Sequence, residues 1–168
     1  MKNQIQKTSP IIPSDVAKYF LYRAIQDGDL VSPLKMQKLV YYAYSWTLVN
    51  NKKKLFEEKM EAWPSGPVVP SLYGELKIYG SAPIDEDYLG VSSTNEFNEV
   101  ICTKFPADIK VTLDKVYEGY MTKTAFELVA LTHSEKPWSE TRKGLSPTEP
   151  SNKTIPDNLI IQQYGQQK

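Results

Sequence analysis

The stretch LKMQKLVYYAYSW, Leu34 to Trp46, constrains the fold more than any other segment. Ser32 and Pro33 supply an N-cap and a first-turn proline, and the helix they open runs to about Val49 with apolar residues nearly all round. A helix without a polar face must be covered on every side, so this one is expected at the centre of the molecule. A chain of 168 residues can bury one such core and does not call for a second.

The other helical signals fit a shell around that centre. Ser14 and Asp15 read as the start of a helix whose buried stripe is Val16, Tyr19, Phe20 and Ala24 and whose stop is Asp27-Gly28-Asp29. Asn50 to Lys54 is a polar, basic loop, and Phe56 to Trp63 alternates weakly enough to allow a short strand. Within EAWPSGPVVPSLY, Glu61 to Tyr73, prolines and a glycine make a rigid turn before another helix. Val69, Leu72, Tyr73, Leu76 and Tyr79 sit at helical spacing there, and Gly80 is placed to end the helix in a left-handed conformation.

From Ser81 to Asp108 turn formers dominate, and Phe97 to Lys104 is the best strand candidate. Leu113, Val116, Tyr117 and Tyr120 mark a helix opened by Thr112, and Thr124 with Glu127 reads as a capping box for the next. A short helix starts at Pro137-Trp138 and ends at Gly144, a Pro-rich loop spans Leu145 to Thr154, and Ile160, Ile161 and Tyr164 form a last helical face. The expected fold is therefore mainly α: a compact single-domain bundle of about six to seven helices, with room for a short β-hairpin or small sheet. Residues 1–12 read as a flexible N-terminal tail with no signal-peptide or membrane-span character, and 13–166 as the domain.

Chemistry is scarce in this sequence. His133 is the one histidine, and it shares a helical face with Phe126, Val129 and Ala130, which predicts a packed, hydrogen-bonded core residue and not a catalytic one. One Cys, Cys102, and one His lack the close ligand pairs of zinc sites, and the lone thiol suits a reducing cytoplasm. No glycine-rich phosphate loop is present, so no metal, nucleotide or other cofactor is expected. Acid runs such as Glu57-Glu58 and Asp85-Glu86-Asp87 read as solvated charges. Twenty basic residues balance twenty acidic ones, which supplies no global field for nucleic acid. The positive oddity is aromatic: eleven tyrosines and three tryptophans. Tyr41, Tyr42, Tyr44 and Trp46 on one helix are not expected all to face one core, which leaves either a partner-binding patch or a core rich in aromatics.

Three separated blocks together resemble the Panacea antitoxin domain, the family of SocA-like and phage-associated GepA-like proteins. The first is the Leu34–Trp46 helix, with Leu34, Gln37, Lys38, Leu39 and Tyr42 at the matching places. The second is Glu61-Ala62-Trp63 leading to Gly66-Pro67-Val68-Val69-Pro70, then Tyr73 and Tyr79-Gly80. The third carries Thr132, His133, Pro137 and Trp138, and the segment Ile155 to Tyr164 is similar to the family's last helix. Between Ile84 and Asp108 no family motif is matched.

The resemblance implies a non-enzymatic helical antitoxin that binds and neutralises a cognate protein toxin encoded by a neighbouring gene. SocA-like members also imply a proteolytic adaptor that delivers the toxin to a Clp-type protease. Direct nucleic-acid and membrane contacts are not expected. A phage or prophage regulator that binds a host protein is the alternative, and an enzyme of unrecognised type stands behind both. Trp63, Tyr73, Tyr79 and Trp138 are the partner-binding candidates. Leu34, Gln37, Lys38, Leu39, Tyr42, Gly66, Pro67, His133 and Pro137 are read as structural. Equally open is the reverse, in which the shared aromatics lock the domain and partner choice lies in the unmatched 84–108 region.

Overall fold

A computed structural model describes residues 9–167. Its centre is α2 (Pro33–Asn50), opened by Ser32, whose hydroxyl accepts from the Lys35 N–H at 3.3 Å. Around it pack α1 (Pro13–Asp27), α5 (Ala107–Tyr120), α6 (Ala125–Ser134) and α8 (Asp157–Tyr164). This surround corrects the expectation for the central aromatics. Tyr41, Tyr42 and Tyr44 are all buried and Trp46 is half-buried, because neighbours cover every side of the helix and no tyrosine needs to seek solvent.

Eight α-helices occur among the described residues, more than the six or seven expected. The extra one lies where the motifs ran out. Phe97 to Lys104 is not a strand: α4 (Thr94–Val100) and a 3-10 turn (Cys102–Lys104) occupy it. Ser93 caps α4 by accepting from the Glu96 N–H, Glu96 reaches back to the Ser92 N–H, and Phe97, Ile101 and Phe105 bury at four-residue spacing. A second 3-10 turn (Glu86–Leu89) precedes α4.

Three helix starts also move. Ser14 lies inside α1, which begins at Pro13. The cap is made instead by Asp15, whose carboxylate accepts from the Ile12 N–H at 3.0 Å and also pairs with Lys104 at 2.7 Å. Helix α5 starts at Ala107, well before Thr112, whose hydroxyl donates to the Asn51 side chain. Helix α7 (Lys136–Thr141) begins one residue before Pro137 and unwinds into a turn whose Gly144 has φ 86°. The capping box of Thr124 and Glu127 forms as expected. Of the tail read over 1–12, residues 1–8 lie outside the described residues, and 9–12 carry no regular secondary structure.

The Glu61–Trp63 strand (β1) and the Gly66–Val68 strand (β2) form a two-stranded antiparallel sheet, with Glu61 opposite Val68, Ala62 opposite Pro67 and Trp63 opposite Gly66. Helix α3 (Pro70–Leu76) follows and tightens into a 3-10 turn (Lys77–Tyr79), so the helical run is shorter than the spacing suggested. Gly80 then takes φ 57° with ψ −119°, not the left-handed helical cap expected, and its N–H closes the 3-10 turn on the Lys77 carbonyl. Leu72 and Leu76 bury, whereas Tyr73 faces outward.

A tyrosine cluster pins the last helix. Glu135, between α6 and α7, accepts from the Tyr164 hydroxyl of α8 at 2.6 Å and from Tyr42 of α2 at 3.1 Å. Burial pushes its carboxyl above the usual range while the two hydroxyls pull it back. Among the described residues no helix is long and apolar enough to cross a membrane.

Candidate binding surface

The hairpin is too short to satisfy its own edges, and side chains from two helices complete them. Ala62 and Pro67 stand opposite each other with their carbonyls directed outward. On one side the Arg142 guanidinium donates to the Ala62 carbonyl at 2.8 Å, and its other nitrogen donates to the carbonyls of Ser146 and Glu149 at 2.9 and 2.7 Å. The Ala62 N–H meanwhile donates to the Lys153 carbonyl at 2.9 Å, which joins the Pro-rich loop to the free edge of β1. On the other side the Lys38 amine donates to the Pro67 carbonyl at 2.9 Å. Next along, Gln37 imitates a strand: its side-chain oxygen accepts from the Val69 N–H at 3.0 Å and its nitrogen donates to the Val69 carbonyl at 3.3 Å.

These contacts account for several motif residues at once. Lys38 is fully buried and reaches Pro67 past Gly66, whose φ is 100°. A Cβ on residue 66 would lie 2.7 Å from Lys38 Cε and 2.8 Å from Thr132 Oγ1, so only glycine leaves the passage open. Pro67 has no N–H to leave unpaired. Leu39 and Tyr42 are core residues on the same helix, and Leu34 is half-buried in its first turn.

Lys38 carries a pH consequence. Burial holds its amine down at about 7, against 10.5 in an unfolded chain. Between those values the unfolded chain binds the extra proton, so stability rises with pH from about 7 toward 10, and below about 7 the full penalty persists. We expect a slope of up to about 1.4 kcal/mol per pH unit over pH 7.5–9.5 in chemical denaturation, the value for one proton. Lys38→Met should flatten it, and equal slopes in the two proteins would show that Lys38 stays charged in the fold.

On the outer side of the hairpin, aromatic side chains converge. The Trp138 indole N–H donates to the Trp63 carbonyl at 2.7 Å, and the Trp63 indole N–H donates to Glu61 at 2.7 Å. Tyr73 meets the Trp63 ring edge-on, with centroids 5.0 Å apart. His133 stacks on Trp138 at 3.7 Å, and the Arg142 guanidinium stands 5.3 Å from the same indole centroid. Trp63, Trp138 and His133 are half-buried and Tyr73 is 46% exposed, so both indole N–H groups are held by hydrogen bonds within the hairpin region while part of each ring remains at the surface. An adjoining groove of about 510 Å³ runs from Trp63 and Pro64 to Pro150 and Asn152.

Of the four aromatics singled out from sequence, three therefore come together. Tyr79 does not join them: it is half-buried and its hydroxyl donates to Asp85 at 3.2 Å. The reading of His133 as a core residue is corrected too. Phe126 is 80% exposed and Ala130 is exposed, whereas Val129 and His133 are half-buried, so the face they share lies at the surface, with His133 packed on Trp138 outside the core, while Leu128 and Thr132 are the buried residues of the helix. Helix α6 packs on α2, and its buried Thr132 sits beside Gly66 and Lys38. Burial and the neighbouring charges of Lys38 and Arg142 lower the imidazole pKa, and its buried Nε2 has no hydrogen-bond partner among the described residues. Pro137 is buried in the first turn of α7. Arg142 and Glu135 escaped the sequence reading, since a single charge in a polar segment carries no periodicity. No group of three or more potential metal ligands occurs among the described residues.

A helical domain whose hairpin presents tethered aromatic rings has the build of a protein-binding module. The family model for "Antitoxin SocA-like, Panacea domain" matches residues 36–139, and the chain belongs to that antitoxin family. It is 27% identical over 154 residues to Antitoxin SocA of Caulobacter vibrioides (strain NA1000 / CB15N), an alignment covering 91% of this chain and 82% of that protein. No solved structure matches the chain.

Proposed function

We propose that this chain acts in the cytoplasm as a non-enzymatic antitoxin, with residues 13–166 as its binding domain. Its partner is the protein toxin encoded by a neighbouring gene, and Trp63, Tyr73 and Trp138 anchor the contact. The observation that carries this reading is the linkage of those three aromatics around the hairpin, Tyr73 against the Trp63 ring and Trp138 bonded to the Trp63 carbonyl, with both indole N–H groups hydrogen-bonded at 2.7 Å and Tyr73 left 46% exposed. Rings held this way lose little freedom on binding, which favours them as the few residues that dominate an interface of roughly 1,200 to 2,000 Å². Tyr79 enters as a separate contact, outside the anchor.

The test is co-expression with the product of each neighbouring reading frame, scoring growth and co-purification. One neighbour should be toxic alone, harmless with this chain, and recovered in complex with it. Trp63→Ala combined with Trp138→Ala should weaken the complex by about 30-fold or more, with circular dichroism used to confirm that the variant remains folded. Rescue accompanied by protease-dependent loss of the toxin would identify delivery to a Clp-type protease as the route of neutralisation. Absence of any toxic neighbour would refute the antitoxin reading.

A further inference from the structure

From Ile78 to Thr103 the chain carries five acidic residues, Asp85, Glu86, Asp87, Glu96 and Glu99, and no lysine or arginine, although acids and bases balance over its whole length. The fold sets this segment against α1, leaving a groove of about 530 Å³ between Tyr22 and Ile25 on one wall and Glu86, Asp87, Leu89 and Val91 on the other. Ile25 is 38% exposed and Leu30, just beyond the helix, is 74% exposed. The Ile84 N–H donates to the Val31 carbonyl at 2.9 Å, which holds the acidic segment beside that apolar stretch.

The carboxylates are not equivalent. Asp85 accepts from the Asp87 N–H and from Tyr79, and Glu96 accepts from the Ser92 N–H, so both serve the local turns. Glu86 and Asp87 are exposed and make no side-chain hydrogen bond or ion pair among the described residues. Lys18 approaches from α1, with its ammonium 5.6 Å from the centre of the Tyr88 ring. A groove in which the apolar surface of Tyr22, Ile25 and Val91 alternates with the polar Ser92 to Thr94, bordered by two unpaired carboxylates, is complementary to a segment carrying both apolar and cationic side chains.

We propose that this groove docks a cationic amphipathic segment of the partner protein. Apolar side chains would rest on Tyr22, Ile25 and Val91, and lysine or arginine would face Glu86 and Asp87. The identity of the partner rests on the antitoxin reading, whereas the chemistry of the groove does not. Charges at such a rim act mainly on partner choice and encounter rate, a role separate from that of the aromatic anchor.

The test titrates the isotope-labelled full chain with a short amphipathic helical peptide of leucine and lysine, and with the same peptide carrying glutamate for every lysine. Amide shifts should concentrate at Tyr22, Ile25, Val91 and Ser92 for the cationic peptide alone. The double variant Glu86→Lys, Asp87→Lys should weaken that binding about tenfold, and Phe126→Ala, on the exposed face of α6 and outside the groove, should leave it unchanged. Equal response to both peptides, shifts scattered over the surface, or indifference to the charge reversal would overturn the proposal. The same charge reversal should weaken capture of the toxin found by co-expression. If no neighbour is toxic, the antitoxin reading fails while the peptide titration still decides the groove.

Discussion

Arg142→Ala should lower the stability of the fold by about 2–4 kcal/mol, from charge-assisted hydrogen bonds lost and a buried carbonyl left without a partner. The guanidinium is buried and donates to the carbonyls of Ala62, Ser146 and Glu149, each within 3.0 Å. These acceptors belong to β1 and to the Pro-rich loop, neither of which can pair them internally. Without the arginine the buried Ala62 carbonyl loses its partner, and the loop, no longer tied through Ser146 and Glu149, must loosen from the edge of β1 for water to replace it. Amide exchange should accordingly speed up at Ala62 and Ile155, whose N–H groups bond across that junction. Arg142→Lys should recover only part of the loss, because an ammonium lacks the forked geometry that spans separate carbonyls. A loss below about 1 kcal/mol by urea denaturation would mean that the loop is held by other contacts.

Gly66→Ala should cost about 2–4 kcal/mol, combining a positive-φ penalty with overpacking. A methyl group would enter within 3.0 Å of Lys38 Cε, Lys38 Nζ and Thr132 Oγ1. Lys38 could relieve the clash only by giving up the Pro67 carbonyl, its one hydrogen bond among the described residues. Because Trp63 pairs with Gly66, the shift should carry to the indole, and a change in tryptophan fluorescence should accompany the lost stability. The control is Gly119→Ala, where an added Cβ meets nothing within 4 Å. Its stability should hold or rise slightly, since alanine is the better helix former. If the two variants melt together, the passage at Gly66 is not confined in the way the distances indicate.

Much of the helical order was legible because it rests on short-range physics. Ser32 before Pro33, and Thr124 with Glu127, announce helix starts through the unpaired N–H groups of a first turn. The same signal stood at Ser93 and Glu96 and was obscured by the polar residues around it, so α4 was read as a strand. Phe126, Val129, Ala130 and His133 had the right period, yet periodicity identifies a coherent face without saying whether core or solvent receives it. Neighbours decide that, and for α6 they selected the side bearing Leu128 and Thr132. The aromatic surface was legible as residue types through Trp63, Tyr73 and Trp138, but the separation of Tyr79 depended on the 3-10 turn that ends α3.

The apolar girth of Leu34–Trp46 by itself determined that this protein would be built around one central helix, since no arrangement leaves such a helix half in water. The motif Gly66-Pro67 and the pair Gln37-Lys38 likewise announced that something exact was required of them. What it was could be decided only in three dimensions. A hairpin with three residues per strand cannot close its own hydrogen bonds, and the groups that close them come from α2, from Arg142 and from the loop near Lys153. Contacts between residues so far apart in the chain carry no local signal, because they arise from where the packed helices bring their side chains.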